Sequence, residues 1–195
     1  GEMTYGAARG MKNFITITLG TGVGSGIVIN GEMVYGHDGF AGELGHTTLV
    51  RHNGRLCNCG KNGCLEAYCS AIGIARTARE WLGMTDEPSL LRKLDKITAK
   101  DIYDAAKEGD QISLRLFDYT GTMLGMAFAD FIEFSSPEAI VLFGGMAKSK
   151  EFLTEPIERA MNANVLPLWR GKVKLVYSAL KESDAAILGA SALAW

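Results

Sequence analysis

Residues Gly42–Glu66 read GELGHTTLVRHNGRLCNCGKNGCLE and gather one imidazole and three thiols at short range: His46, Cys57, Cys59 and Cys64. Zinc in a structural site takes four N or S donors in a tetrahedron, and one His with three Cys is a standard set. Cys57-x-Cys59 followed by Gly60-x-x-Gly63-Cys64 lets the backbone fold tightly enough for three sulfurs to meet. Gly60 and Gly63 supply the left-handed or close-approach positions that such a knuckle needs. Two carboxylates, Glu43 and Glu66, bracket the donors. Other readings compete: paired disulfides, a redox dithiol, or unligated thiols. Nothing in the chain looks like a secreted, disulfide-stapled scaffold, and redox pairs are more often Cys-x-x-Cys than Cys-x-Cys. The fourth cysteine, Cys69, falls in an expected helix and reads as a buried small hydrophobe.

Upstream, Phe14–Leu19 (FITITL) alternates β-branched and apolar residues and reads as a strand. It runs into a glycine-rich turn over Leu19–Gly26 (LGTGVGSG), and Gly26–Ile29 reads as a second strand. Asn30-Gly31 is the strongest hairpin signal in the chain, with Glu32–Tyr35 returning. Backbone N–H groups bared at Gly20, Gly22 and Gly24, with the hydroxyls of Thr21 and Ser25, could cradle phosphate oxygens. Hairpin turns are also glycine-rich for steric reasons alone. No Gly-Lys-Ser/Thr follows, so this is not a P-loop. Glu2–Arg9 reads as the tail of a helix stopped by Gly10, which suggests that something belongs before it.

Downstream, Glu66–Leu82 has helical spacing, with Tyr68, Ile72, Ala75, Ala78 and Trp81 expected on one face. A polar connection leads to Thr98, an N-cap with Asp101 in the first turn of a helix ending near Lys107. Asp110 is expected to cap a long helix over Gln111–Phe134, apolar on most faces and hence central. Gly121 and Gly125 would let another element approach it closely, and its methionines read as core filler. Ala139–Phe143 (AIVLF) has the unbroken apolar character of a buried parallel strand, and Gly144-Gly145 follows at once. A helix over Glu151–Val165 with Pro156 near its first turn, a strand over Val173–Tyr177 and a helix over Asp184–Ala194 complete the pattern. Alternating strands and helices favour a parallel sheet covered on two sides, with ligands beyond the strands' carboxyl ends. Gly144-Gly145 lies at such an end. It would admit an adenine or ribose to the backbone, or simply make a tight turn.

At 195 residues, with 47 % hydrophobic and 22 % charged residues, the chain is long enough to bury a real core. A net charge of -2 gives no reason to expect nucleic acid or an anionic membrane as partner. No apolar run approaches a membrane span, no signal peptide is visible, and reduced cysteines fit a cytoplasmic location. Glycine is the outlier at 24 residues, clustered where a backbone would approach a ligand.

Taken together, GELGH at Gly42–His46, CNCGKNGCLE at Cys57–Glu66, LGTGVGSG at Leu19–Gly26 and SPEAIVLFGG at Ser136–Gly145 resemble the ROK family (repressors, open reading frames and sugar kinases), specifically its bacterial glucokinase-like branch. The resemblance covers essentially the whole chain. It implies an α/β, ribonuclease-H-like (actin-like ATPase) lobe, a mixed sheet with helices on both faces and a zinc-bound loop at about residues 42–66. It further implies structural Zn²⁺ on His46, Cys57, Cys59 and Cys64, and sugar hydroxyls on Glu43, His46 and Glu66. ATP phosphates would lie against Gly20, Thr21, Gly22 and Gly24, with adenosine near Gly144 and Gly145 and Mg²⁺ neutralising the phosphate charge. His46 could then ligate through one ring nitrogen while the other faces a hydroxyl. Bland readings stand beside these: a solvated loop carboxylate for Glu43, a helix N-terminal carboxylate for Glu66, and surface positions for His37 and His52.

Kinases of this family also carry an N-terminal lobe with an Asp-x-Gly-Gly-Thr phosphate loop and an Asn-Asp pair whose Asp is the general base. Neither motif occurs in residues 1–195, so the expectation is a C-terminal lobe that folds and binds zinc but transfers phosphate poorly or not at all. The expected whole is an ATP-dependent hexose kinase, glucokinase first, with N-acetylmannosamine, N-acetylglucosamine, mannose and fructose as other substrates. A sugar-responsive repressor without its DNA-reading segment, or a plain zinc-bound interaction module, are the competing classes. A homodimer is plausible by resemblance.

Overall fold

Alternating apolar residues make Phe14–Leu19 the central strand (β1) of a five-stranded mixed sheet in the computed structural model, which describes residues 1–192. The other strands are β2 (Val23–Ile29), β3 (Glu32–Met33), β4 (Ala139–Phe143) and β5 (Lys174–Tyr177), in the order β3-β2-β1-β4-β5. β1, β2 and β3 form an antiparallel meander, whereas β4 and β5 run parallel to β1, with Ile15 opposite Ile140 and Val141 opposite Val176. Asn30 (φ 55°) and Gly31 (φ 83°) make the β2–β3 turn that Asn-Gly predicts. Helices are α1 (Glu2–Tyr5), α2 (Glu66–Cys69), α3 (Ala71–Met84), α4 (Ala99–Lys107), α5 (Gln111–Ser135), α6 (Lys150–Asn164) and α7 (Glu182–Ala192). The end of the expected last helix, beyond Ala192, lies outside the described residues.

Ile15, Ile17 and Leu19 point into one large core with Leu116, Leu124 and Phe128 of α5 and Ile157 of α6. Phe14 and Val141 face the other side, packed with Ala8. A groove of about 570 Å³ runs there between the sheet and α1 and α7. Helices thus flank both faces, as alternating strands and helices lead one to expect. The central helix α5 is capped by Asp110, which accepts the Ser113 N–H at 2.8 Å, and ends at left-handed Ser136 (φ 48°) before Pro137. Gly121 and Gly125 do admit a neighbour: a Cβ on Gly125 would stand 2.4 Å from the Ile157 carbonyl oxygen of α6.

Several expectations need correction. The glycine turn is shorter than expected, because β2 begins at Val23; Gly24 is paired with Thr18 inside the sheet. The single helix expected over Glu66–Leu82 is two, broken at Ser70, which is extended (ψ 168°) and whose hydroxyl accepts the Gly73 N–H at 3.0 Å. The break resets the helical phase, so Ile72, expected on the buried face, is half exposed while Ile74 is fully buried. Pro156 sits inside α6 rather than in its first turn, its ring against Gly121, where a Cβ would lie 2.6 Å from the proline Cγ. The helix at the start is one turn long.

Candidate metal centre and adjoining cavity

The two ends of Gly42–Glu66 are anchored on strand β2. Gly45 lies so close to it that a Cβ would come 2.0 Å from the Val23 carbonyl oxygen, which explains the second glycine of GELGH. Ser25 donates its hydroxyl to the Gly42 carbonyl and accepts the Leu44 N–H at 3.0 Å. The Ser25 hydroxyl is therefore used to hold the Glu43 segment and is not part of a phosphate cradle, as its place in the glycine turn had implied. The knuckle itself closes by backbone bonds: Cys57 N–H to Lys61 O (2.8 Å), Gly63 N–H to Arg55 O (2.8 Å) and Leu65 N–H to Thr47 O (3.0 Å). Gly60 (φ 87°) and Gly63 (φ 79°) occupy the left-handed positions expected of them.

This folding brings His46, Cys57, Cys59 and Cys64 together, with one donor atom from each inside a 4.8 Å span. Donors held about 2.0–2.3 Å from one zinc ion at tetrahedral angles stand about 3.5–3.8 Å apart. Cys59 Sγ and Cys64 Sγ are 3.6 Å apart, and Cys57 Sγ lies 3.7 Å from His46 Nδ1. The donor set and its spacing fit a tetrahedral zinc, and no pair is disulfide-bonded. Cys69 stands apart, fully buried, its thiol toward the Thr120 carbonyl at 3.7 Å.

Electrostatics favour a cation at this point. Burial, then the neighbouring thiols, pushes Cys64 up to about 12, and burial likewise raises Cys57. Cys59 is exposed, and the Lys61 N–H leads the interactions that lower its thiol. Thiolates converging at one point repel each other; a divalent ion reverses that sign and displaces the protons.

The carboxylates differ in station. Glu66 is half-buried at the start of α2: its Oε2 accepts the Val23 N–H at 2.9 Å and its Oε1 accepts the Cys57 thiol at 3.6 Å. Gly22 has no room for a side chain because of it; a Cβ there would stand 2.4 Å from Glu66 Oε2. Glu43 is open to solvent (side chain 70 % exposed), with its Oε2 4.0 Å from His46 Nε2. His46 thus turns Nδ1 to the sulfurs and Nε2 to Glu43. His37 and His52 are exposed and take no part.

On the other side of the β1–β2 turn lies a cavity of about 610 Å³. Gly20 and Thr21 form one wall, Gly145, Met146 and Ser149 another, and Ala99, Tyr103 and Phe117 an apolar third. The two expected nucleotide motifs, far apart in sequence, therefore meet here. Gly22, Gly24 and Gly144 do not line it. Gly144 (φ 100°) instead abuts β1, where a Cβ would lie 2.6 Å from the Leu19 carbonyl oxygen. The α4 wall has no sequence signal, since a short capped helix of mixed polarity reads as a solvated surface. A second unanticipated residue is Arg55, whose side chain is only 10 % exposed.

The profile of the family described as ROK matches residues 1–195. A glucokinase of Halalkalibacterium halodurans is 45 % identical over 170 residues, 86 % of this chain and 52 % of that protein. The xylose repressor of Bacillus spizizenii is 31 % identical over 193 residues, 99 % of this chain and 47 % of the repressor. The chain thus spans about half the length of these curated relatives. Among solved structures, a ROK glucokinase from Streptomyces griseus in complex with glucose and AMPPNP superposes with a TM-score of 0.87 at 32 % identity, covering 98 % of this chain and 63 % of that one. With its mixed sheet flanked by helices, of the actin-like ATPase type, and a profile match from end to end, the chain belongs to the ROK family.

Proposed function

We propose that this chain is the C-terminal, metal- and nucleotide-bearing lobe of an ATP-dependent hexose kinase, with glucose as the sugar. The observation that carries this reading is the cavity in which Gly20 and Thr21 face Gly145 beside the apolar side chains of Tyr103, Phe117 and Met146. The Gly20 N–H is spent on the Gly22 carbonyl (3.0 Å), so phosphate oxygens would meet this wall at Thr21 and the facing one at Gly145, and apolar walls suit a purine. His46 through Nδ1, with Cys57, Cys59 and Cys64, holds a structural Zn²⁺, which fixes the imidazole so that Nε2 is free for a sugar hydroxyl. Glu43 and Glu66 accept further hydroxyls, and a sugar lacking one leaves a carboxylate unpaired. Gly144 shapes the turn that brings Gly145 to the nucleotide. Mg²⁺ would neutralise phosphate charge in an in-line transfer. Deprotonation of the hydroxyl is assigned to none of these residues.

Similarity to a repressor supports a second reading, in which the same sugar site controls DNA binding. The greater identity to a glucokinase and the built cavity favour the kinase. Glucose-dependent ADP formation by the full-length protein carrying this chain decides the matter. Operator DNA binding that glucose modulates, with no ADP formed, would reverse the assignment. A different preferred hexose would change only the substrate.

A further inference from the structure

The loop that carries the three clustered cysteines is closed by backbone bonds across the knuckle but has little regular ladder. Among the described residues its ladder is two isolated bridges, Thr48 with Cys64 and Leu56 with Asn62, and Leu56 is mostly exposed. Beside the contact of the Cys57 thiol with Glu66 of α2, the reach from this loop to the helices behind is made by Arg55. Its guanidinium donates from Nη1 to the Ala67 carbonyl (3.2 Å) and Thr77 Oγ1 (2.9 Å), and more weakly to the Gly73 carbonyl (3.5 Å). Nη2 pairs with Glu80, which Arg76 holds from its other oxygen at 2.9 Å. The guanidinium also lies 4.5 Å from the centroid of the Tyr68 ring. Gly73, Thr77 and Glu80 are spaced to share one face of α3, so the helix presents a stripe that fits a fork of N–H donors.

The backbone of Arg55 is held as well. Its N–H donates to Tyr68 Oη at 2.8 Å, and its carbonyl accepts the Gly63 N–H at 2.8 Å. Residue 55 is therefore the node between the arm leading to Cys57 and Cys59 and the arm leading to Cys64. Its contacts at Ala67 and Tyr68 also fix α2, whose first residue is Glu66. Arginine suits this place because it stays charged and satisfies several acceptors at once, whereas a lysine ammonium is a single point.

We propose that Arg55 is the positioning residue of the metal centre: docking its side chain on α3 sets the separation of the two cysteine arms and the station of Glu66. This rests on the metal reading above. The test is titration of this chain with Co²⁺, followed by the visible bands of tetrahedral thiolate coordination and by competition with Zn²⁺. Arg55→Lys and Thr77→Val are compared with the wild-type chain. Loss of an outer group bonded directly to a ligand costs about 10–100-fold in metal affinity. Arg55 touches no ligand side chain and acts through the two arms, so Arg55→Lys is expected at the low end of that range, about tenfold, with altered bands, and Thr77→Val less affected. Metal affinity within twofold of wild type in folded Arg55→Lys refutes the proposal, even if the variant is less stable, because stability alone would be a merely structural role. If the wild-type chain takes up neither ion, the metal reading falls. The positioning claim is then judged by amide exchange at Gly63 in the metal-free chain, which must speed up in Arg55→Lys; unchanged exchange overturns it.

Discussion

Replacing Gly22 by alanine tests whether the β1–β2 turn and the metal loop are joined through one carboxylate. The backbone at Gly22 is not left-handed, so alanine is conformationally allowed there. Its Cβ would nevertheless arrive 2.4 Å from Glu66 Oε2. A side-chain end can swing away, but doing so breaks the bond that Oε2 accepts from the Val23 N–H at 2.9 Å. A hydrogen bond to an ionised acceptor contributes about 1.5–3 kcal/mol when partly buried. Restricting the unfolded chain by Gly→Ala returns about 0.4–1 kcal/mol. The expected net loss is about 1–2 kcal/mol, read from urea unfolding at fixed free zinc concentration. The decisive comparison is the same substitution in a Glu66→Ala background. There the obstacle and the bond are both gone, so Gly22→Ala should become neutral or slightly stabilising. A cycle of this kind isolates the pair, and its coupling energy should approach the full hydrogen-bond term. Equal costs in the two backgrounds would refute the reasoning and place the strain elsewhere in the turn.

Uptake of Zn²⁺ should release protons, because burial keeps Cys57 and Cys64 protonated in the metal-free fold; affinity should rise with pH and fall on acidification. Calorimetry in buffers of different ionisation enthalpy measures the protons released, and none released would contradict the thiolate ligand set. Cys59→Ser should lower both bound zinc and the thermal midpoint, since binding energy at a structural site is folding energy. For Asp110, burial pushes the carboxyl up, but the N–H groups of Ser113 and Leu90 outweigh it and hold it below the ordinary aspartate value. A depressed native value means the carboxylate stabilises the fold above the unfolded value of about 3.9 and stops doing so as pH falls through the native one. Asp110→Ala should therefore cost about 0.5–2 kcal/mol at neutral pH. That difference should shrink in strong acid, as urea midpoints across a pH series would show.

Much of this molecule follows from short-range pattern. The strands β1 and β4, the Asn30-Gly31 turn and the Thr98–Asp101 capping box are all local events, set by alternation, left-handed tolerance and side-chain-to-backbone bonds within a few residues. The clustering of His46, Cys57, Cys59 and Cys64 was legible because a knuckle needs its glycines and sulfurs at fixed spacing. What sequence could not apportion was the use of each small residue. Gly20 and Gly145 border the cavity, Gly24 sits within the sheet, Gly45 and Gly144 make room for neighbouring strands, and Ser25 fastens the Glu43 segment. All six assignments depend on which distant backbone comes to rest beside them. Arg55 and the α4 wall were invisible for the same cause: their partners lie 12 or more residues away or on other elements, and nothing in the local spacing records them. Local chemistry chose the clustered thiols and the strands; long-range packing chose what they face.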